Sequence, residues 1–137
     1  AYCTVVISDI RIGSPIIKNP TYLVAMNRPS LEKFAPNVKP GGIVVINSSL
    51  IPVRSERDDI SELLVPANEE AINLGTVRCA NIIVLSAFAA KSGMVDTDIL
   101  RQCVKDNFAS KEKVIPLNMK AFDRGMEIAE GSKTKTI

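Results

Sequence analysis

Lys39-Pro40-Gly41-Gly42-Ile43-Val44-Val45-Ile46-Asn47-Ser48-Ser49 is the stretch on which the fold turns. Pro-Gly-Gly is a turn signal. The four β-branched apolar residues behind it read as a strand, and the polar trio Asn47, Ser48 and Ser49 ends that strand. Because Gly41-Gly42 precedes a strand rather than following one, it is a turn and not a phosphate-cradling loop.

Outward from this strand, short apolar runs alternate with helical patterns. Tyr22 to Met26 is a second strand buried on both faces, and Leu63 to Val65 a third, closed by Pro66. The β-branched run in Tyr2 to Ile7 predicts another strand, followed by a loop punctuated by Gly13, Pro15 and Pro20. Ser30 can cap a short helix through Phe34, which must stop before Pro36. Val53 to Asp59 carries charges of both signs and reads as an exposed loop.

The second half is helical. Asn68 can cap a helix through Leu74, with Glu69 and Glu70 in its first turn and Gly75 beyond its end. Val77 to Ser92 is apolar nearly all round, as an interior helix is, with Gly93 as its cap. Its alanines, Ala80, Ala87, Ala89 and Ala90, permit close packing. Asp96 or Thr97 caps a helix bearing Leu100, Val104 and Phe108, with Ile99 and Cys103 beside them. Ile115, Met119, Phe122, Met126 and Ala129 mark the last helix. Pro116 sits in its first turn and Gly131 ends it. The expected product is a three-layer α/β/α Rossmann-like domain with a mostly parallel sheet over residues 1–131, and a loose tail over 132–137.

Composition narrows the chemistry. The chain has 137 residues, 46% hydrophobic and 23% charged, enough for one domain burying roughly two-thirds of its unfolded surface. It contains no histidine, which removes the Ser-His-Asp triad, the Cys-His dyad and His-ligated zinc. Cys3, Cys79 and Cys103 are too widely spaced for a self-contained zinc or iron–sulfur site. Cys79 and Cys103 lie in apolar helical patterns and are expected to be buried. An odd cysteine count without a signal sequence suggests reduced thiols in a cytoplasm. The apolar run Ala80 to Ala90 falls short of the ~18 residues of a membrane span. Residues 1–110 hold 11 basic and 11 acidic side chains; the net charge of +2 comes from residues 111–137, six basic against four acidic. That balance and six aromatic residues argue against nucleic-acid binding.

Ligands of parallel sheets bind beyond the carboxyl ends of the strands. That rule gathers Met26-Asn27, Asn47-Ser48-Ser49 and the segment after Val65 at one edge. Asn47, Ser48 and Ser49 offer donors and acceptors to a neutral or anionic ligand; a hydrogen-bonded turn explains them as well. Arg78 and Asn81 flank the start of the long apolar helix, where an arginine could hold a phosphate or carboxylate, or instead pair with an acid or meet a partner chain. Asn81 needs a partner if buried. Asp58 and Asp59 point apart in an extended loop and form no acid–base pair. No catalytic constellation and no metal ligand set is expected in this chain.

Several motifs nonetheless follow one another in a familiar order. Ser8-Asp9, Ile12-Gly13-Ser14-Pro15, Val24-Ala25-Met26-Asn27, Lys39-Pro40-Gly41-Gly42 and Asn47-Ser48-Ser49-Leu50 come first. Val65-Pro66-Ala67, Leu74-Gly75, Arg78-Cys79-Ala80-Asn81, Ala90-Lys91-Ser92-Gly93 and the Asn118 to Gly125 segment continue the series. From about Tyr2 to about Gly131 the chain resembles the gamma subunit of 2-oxoacid:ferredoxin oxidoreductases. The resemblance implies a cytoplasmic complex that oxidatively decarboxylates a 2-oxoacid, 2-oxoglutarate foremost, to the acyl-coenzyme A and reduces ferredoxin. It implies thiamine diphosphate, Mg and iron–sulfur clusters held on alpha, beta and delta-type partner chains. This chain would be non-catalytic alone and would help shape the coenzyme A side of the site, with Asn47, Ser48, Ser49, Arg78 and Asn81 as candidate contacts. Family members begin with a further glycine-rich strand–turn–helix, so an N-terminally incomplete domain with exposed apolar surface is expected. A free-standing nucleotide-binding or scaffold module is the alternative. So is a Rossmann-like methyltransferase, to whose late turn-and-strand Lys39-Pro40-Gly41-Gly42-Ile43-Val44 is similar.

Overall fold

The computed structural model describes residues 2–14 and 17–134. Pro15 of the expected loop and residues 135–137 of the expected tail lie outside the described residues. Three strands, β1 (Tyr22–Ala25), β2 (Ile43–Asn47) and β3 (Ser61–Val65), form a sheet in that order. Both pairings are parallel, with Tyr22 opposite Ile43 and Asn47 opposite Val65. Among the described residues five α-helices surround it: α1 (Arg28–Phe34), α2 (Ala67–Leu74), α3 (Ala80–Ser92), α4 (Thr97–Asn107) and α5 (Ile115–Thr134).

β2 sits in the middle, and its alternation builds two cores. Val44 and Ile46 point to one side, where they pack with Ala25, Leu31, Val38 and Ile51 beneath α1. Val45 points to the other, where it meets Leu63, Val65, Ile83, Ala87 and Phe122 beneath α2, α3 and α5. Helices thus cover both faces, giving the three layers expected of an α/β domain. Gly42 feeds β2 at a point where a Cβ would lie 2.5 Å from the Thr21 carbonyl oxygen and 2.8 Å from that of Lys39. Only glycine lets the turn enter the sheet there.

α3 and α5 make the tightest helix crossing. A Cβ on Gly125 would overlap Ser86 Oγ and the Ile83 carbonyl oxygen and would stand 3.1 Å from the Ala87 amide nitrogen. Around that point Ala87, Ala121 and Ala129 are fully buried. Small residues permit the close approach that the alanine-rich pattern foreshadowed, and Gly93 closes α3 in the left-handed conformation.

Several local expectations are corrected. Tyr2 to Ile7 forms no strand and lies exposed. β-branched residues become a strand only where a ladder partner and a burying face exist, and this segment pairs with neither edge of the sheet. β1 is an edge strand rather than a doubly buried one, and Val24 is 38% exposed. α1 is capped by Asn27, whose side chain accepts from the Ser30 amide at 3.0 Å, not by Ser30 itself. Asn47 lies within β2 rather than after it. α3 is not wholly interior, because Asn81 and Leu85 face outward. Cys103 is exposed, whereas Cys79 is buried as expected. α5 continues past Gly131 to Thr134, since a glycine inside a helix costs only about 1 kcal/mol.

Candidate functional site

The parallel register brings the carboxyl ends of β2 and β3 together, and α2 starts two residues beyond β3. Pro66 occupies the cap position of α2 and offers no side-chain acceptor. The missing acceptors arrive from the end of β2 and the turn behind it instead. Asn47 Oδ1 accepts from the Ala67 amide at 3.2 Å, and Ser49 Oγ accepts from the Glu69 amide at 3.2 Å. Asn47 Nδ2 donates to Asn68 Oδ1 at 2.9 Å. The Asn47 carbonyl also accepts from the amides of Leu50 and Ile51. From one strand earlier in the sequence, one asparagine thus caps the helix that its neighbour strand leads into.

Asn47 is fully buried, so the structure gives it a holding role at the base of this edge. Asn68, expected as a cap, is the partner that pins it. Glu69 and Glu70 stand in the first turn of α2, where carboxylates suit the positive end of a helix. Glu70 also takes two hydrogen bonds from Arg124 of α5, at 2.8 and 3.0 Å. The Arg124 guanidinium holds the Glu70 carboxyl below the ordinary glutamate range, against the opposing effect of burial. Ser48 is half-buried, and its hydroxyl makes no hydrogen bond to another described residue.

Arg78 and Asn81 form a second group. They lie at the far end of α2, an eight-residue helix about 12 Å long. Thr76 Oγ1 accepts from the Arg78 amide at 3.3 Å and opens the 3₁₀ turn Val77–Cys79 that leads into α3. Among the described residues the Arg78 guanidinium has no acidic partner, and no acid stands in the first turn of α3. Asn81 is exposed, and its Oδ1 accepts from the adjacent Ile82 amide at 2.9 Å. Its exposure removes the need for a buried partner. Of the five candidates, Asn47 and Ser49 serve a helix cap, Arg78 and Asn81 are open to their surroundings, and Ser48 lies beside the cap without bonding it.

Neither of two surface hollows is lined by any of the five. One, of about 390 Å³, lies between the end of α3, the start of α4 and α5; the other, of about 250 Å³, lies between α1 and the loop at Val53–Glu56. The cysteines do not suit an iron–sulfur cluster. Cys3 and Cys103 are exposed, while Cys79 is buried with Sγ donating to the Thr76 carbonyl. Burial pushes the Cys79 thiol up, away from the thiolate a cluster needs. Among the described residues no three His, Cys, Asp or Glu side chains come together as a metal site, and no helix is long and apolar enough to cross a membrane.

Sequence comparison gives this geometry a family. The pyruvate ferredoxin/flavodoxin oxidoreductase family model matches residues 1–128. The chain belongs to that family. It is similar to the ketoisovalerate oxidoreductase subunit VorA of Methanothermobacter thermautotrophicus, 39% identical over 129 residues, covering 93% of this chain and 26% of that protein. It is also similar to the 2-oxoglutarate synthase subunit KorC of the same organism, 30% identical over 139 residues, covering 94% of this chain and 71% of that one. The chain therefore spans about a quarter of the length of the VorA relative. Among solved structures it resembles the gamma subunit of a keto/oxoacid ferredoxin oxidoreductase from Geobacter sulfurreducens. That match has a TM-score of 0.74 and 25% identity, over 81% of this chain and 64% of that one. The fold also recurs in the 2-oxoglutarate:ferredoxin oxidoreductase of Magnetococcus marinus, with a TM-score of 0.71 and 22% identity, over 81% of this chain and 20% of that one.

Local sequence rules missed the Asn47–Ala67 and Ser49–Glu69 caps. A capping box is read over three residues, whereas these caps bridge about twenty positions through the sheet. The polar trio at the strand exit was the only signal available.

Proposed function

We propose that this chain serves as a gamma-type, non-catalytic part of a 2-oxoacid:ferredoxin oxidoreductase and forms one wall on the coenzyme A side of its site. Family membership over residues 1–128 carries this proposal. In such a complex thiamine diphosphate with Mg and the iron–sulfur clusters supply decarboxylation and electron transfer. The residues of this chain do not fit a cluster, so the groups that hold these cofactors are assigned to alpha, beta and delta-type partner chains, with ferredoxin as acceptor. The free cysteines suit a reducing cytoplasm.

This chain's own contribution is recognition. Arg78, which has no acidic partner among the described residues, is the group best suited to an anionic part of coenzyme A, since a guanidinium pairs bidentately with phosphate. Asn81 and Ser48 add neutral hydrogen-bonding capacity. Asn47 and Ser49 act one step back, holding the strand end and α2 in place. For the 2-oxoacid, a branched-chain substrate is favoured over the 2-oxoglutarate expected at first. The VorA relatives are 39% and 37% identical to this chain, the KorC relatives 30% and 29%.

The test is the complex reconstituted with its partner chains. Arg78→Ala should raise the KM for coenzyme A about tenfold, equivalent to about 1.4 kcal/mol, with thiamine diphosphate content unchanged. An unaltered KM for coenzyme A in an intact complex would reduce Arg78 to a surface residue.

A further inference from the structure

α2, the 3₁₀ turn Val77–Cys79 and α3 follow one another almost without slack, and Arg78 stands in the turn. Only Gly75 and Thr76 separate α2 from the turn, and both are bonded onto α2. The Gly75 amide donates to the Ala71 and Ile72 carbonyls at 3.1 and 3.0 Å, and the Thr76 amide to the Ala71 carbonyl at 3.1 Å. On its other side the turn passes directly into α3 at Ala80, and Cys79 Sγ donates back to the Thr76 carbonyl at 3.2 Å. With these junctions held, the place of Arg78 is set by how α2 sits against α3.

α5 sets that relation with two adjacent residues. It packs against α2, α3 and the turn itself. Gly125 meets α3 at Ile83, Ser86 and Ala87. Arg124 grips α2: its Nε and Nη2 donate to the two carboxylate oxygens of Glu70 at 2.8 and 3.0 Å, while Nη1 donates to Glu127 at 3.1 Å. The buried residues of α2 are two alanines, Ala67 and Ala71. Their apolar contacts are small and non-directional, so packing gives α2 little resistance to turning on α5. Asn47 and Ser49 hold only the opposite end of α2. A guanidinium that takes both oxygens of a carboxylate fixes distance and angle together. We propose that Arg124 is a positioning residue: through Glu70 it fixes α2 beside α3 and so sets where Arg78 meets the anionic part of coenzyme A. This rests on the coenzyme A reading of Arg78.

The test uses the whole complex with its partner chains. Arg124→Gln should raise the KM for coenzyme A about three- to fivefold, the scale of a partly exposed charge pair, and should lower kcat less. Glu70→Gln should do the same, and the double variant should be no worse than either single one, because both remove one pair. Arg101→Gln is the control. It breaks the ion pair between α4 and Asp123, the residue next to Arg124, and α4 joins the opposite end of α3 from the turn. It should lower Tm and leave the KM for coenzyme A unchanged. Amide exchange supplies a readout free of substrate: the Gly75 and Thr76 amides should exchange faster in Arg124→Gln and not in Arg101→Gln. Unchanged exchange at those amides overturns the proposal, as do additive effects in the double variant or an equal rise in KM for Arg101→Gln. If Arg78→Ala raises the KM and Arg124→Gln does not, the positioning role falls and the coenzyme A reading stands. If neither raises it, the coenzyme A reading falls and takes the proposal with it.

Discussion

The closest contact between helices offers the sharpest test of the packing. Gly125 lies on the face of α5 that meets α3, and an added methyl would fall about 1 Å inside ordinary contact with the Ile83 carbonyl oxygen. Ser86 Oγ, which also lies in the way, could rotate, although it would give up its bond to the Ile83 carbonyl at 3.1 Å. The carbonyl cannot rotate, because it belongs to the backbone of α3. Gly125→Ala must therefore push the helices apart along their shared length. A gap of 0.5–1 Å forfeits a quarter to a half of each dispersion well it crosses, and overpacking of this kind typically costs about 1–3 kcal/mol, occasionally more. Alanine returns about 1 kcal/mol as a better helix former. With several fully buried side chains on both sides of the crossing, the cost lies at the top of that range and the steric effect wins, with a net loss of about 2 kcal/mol.

For 137 residues and about 2.1 cal/mol/K of unfolding entropy per residue, that loss lowers Tm by about 7 °C. The assay is thermal unfolding by circular dichroism at one fixed protein concentration. Gly131→Ala in the same helix is the control, because nothing lies within 4 Å of its added methyl. Removing a helical glycine there should raise stability by about 0.5 kcal/mol. Opposite signs for the two substitutions are the expected outcome. A Gly125→Ala protein that melts at or above the wild type would show that α3 and α5 do not approach as described.

Two further outcomes follow from the site. Asn47→Ala removes the acceptor of the buried Ala67 amide and the donor to Asn68; it should cost about 2 kcal/mol in urea unfolding, whereas Ser48→Ala should change stability by less than about 0.5 kcal/mol. Equal losses would show that the cap across the sheet is not formed. Glu70 has its folded pKa below the ordinary value of 4.5; its stabilising effect is therefore present above that value and is lost as pH falls through the lower folded one. Glu62 behaves alike, since hydrogen bonds from Ser55 and Arg54 outweigh the burial that would raise it. Unfolding midpoints followed from pH 6 downward should fall below about pH 4.5, and less steeply for Glu70→Gln. Identical slopes would remove the Arg124 pair from the account.

The layers of this domain were legible because their signals are local. Ile43 to Ile46 behind Pro40-Gly41-Gly42 marks a central strand wherever it occurs, and the 4-3-4-3 spacing from Ile115 to Ala129 marks a helix. Gly75 and Gly93 end helices through their own backbone freedom. The misreadings concern partners rather than propensities. Tyr2 to Ile7 has the residues of a strand and lacks a ladder. Cys103 sits beside an apolar stripe yet falls one position outside the buried face, where Val104 is buried. Asn27 displaced Ser30 as a cap because either spacing obeys the same rule, and only the path of the chain out of β1 selects between them.

The candidate edge was half legible for a related reason. A small polar side chain at the end of a parallel strand faces two demands at once: the orphan amides of the next helix and any ligand that visits the same edge. Sequence alone cannot rank them, because Asn and Ser satisfy both. Geometry ranks them by burial. Asn47 faces inward and meets the amides of α2, so its loss should appear as instability. Arg78 is exposed and meets no acid among the described residues, so its loss should appear in what the assembled protein binds. A residue whose removal moved both quantities equally would belong to neither group, and the division of this edge into a held base and an open rim would have to be abandoned.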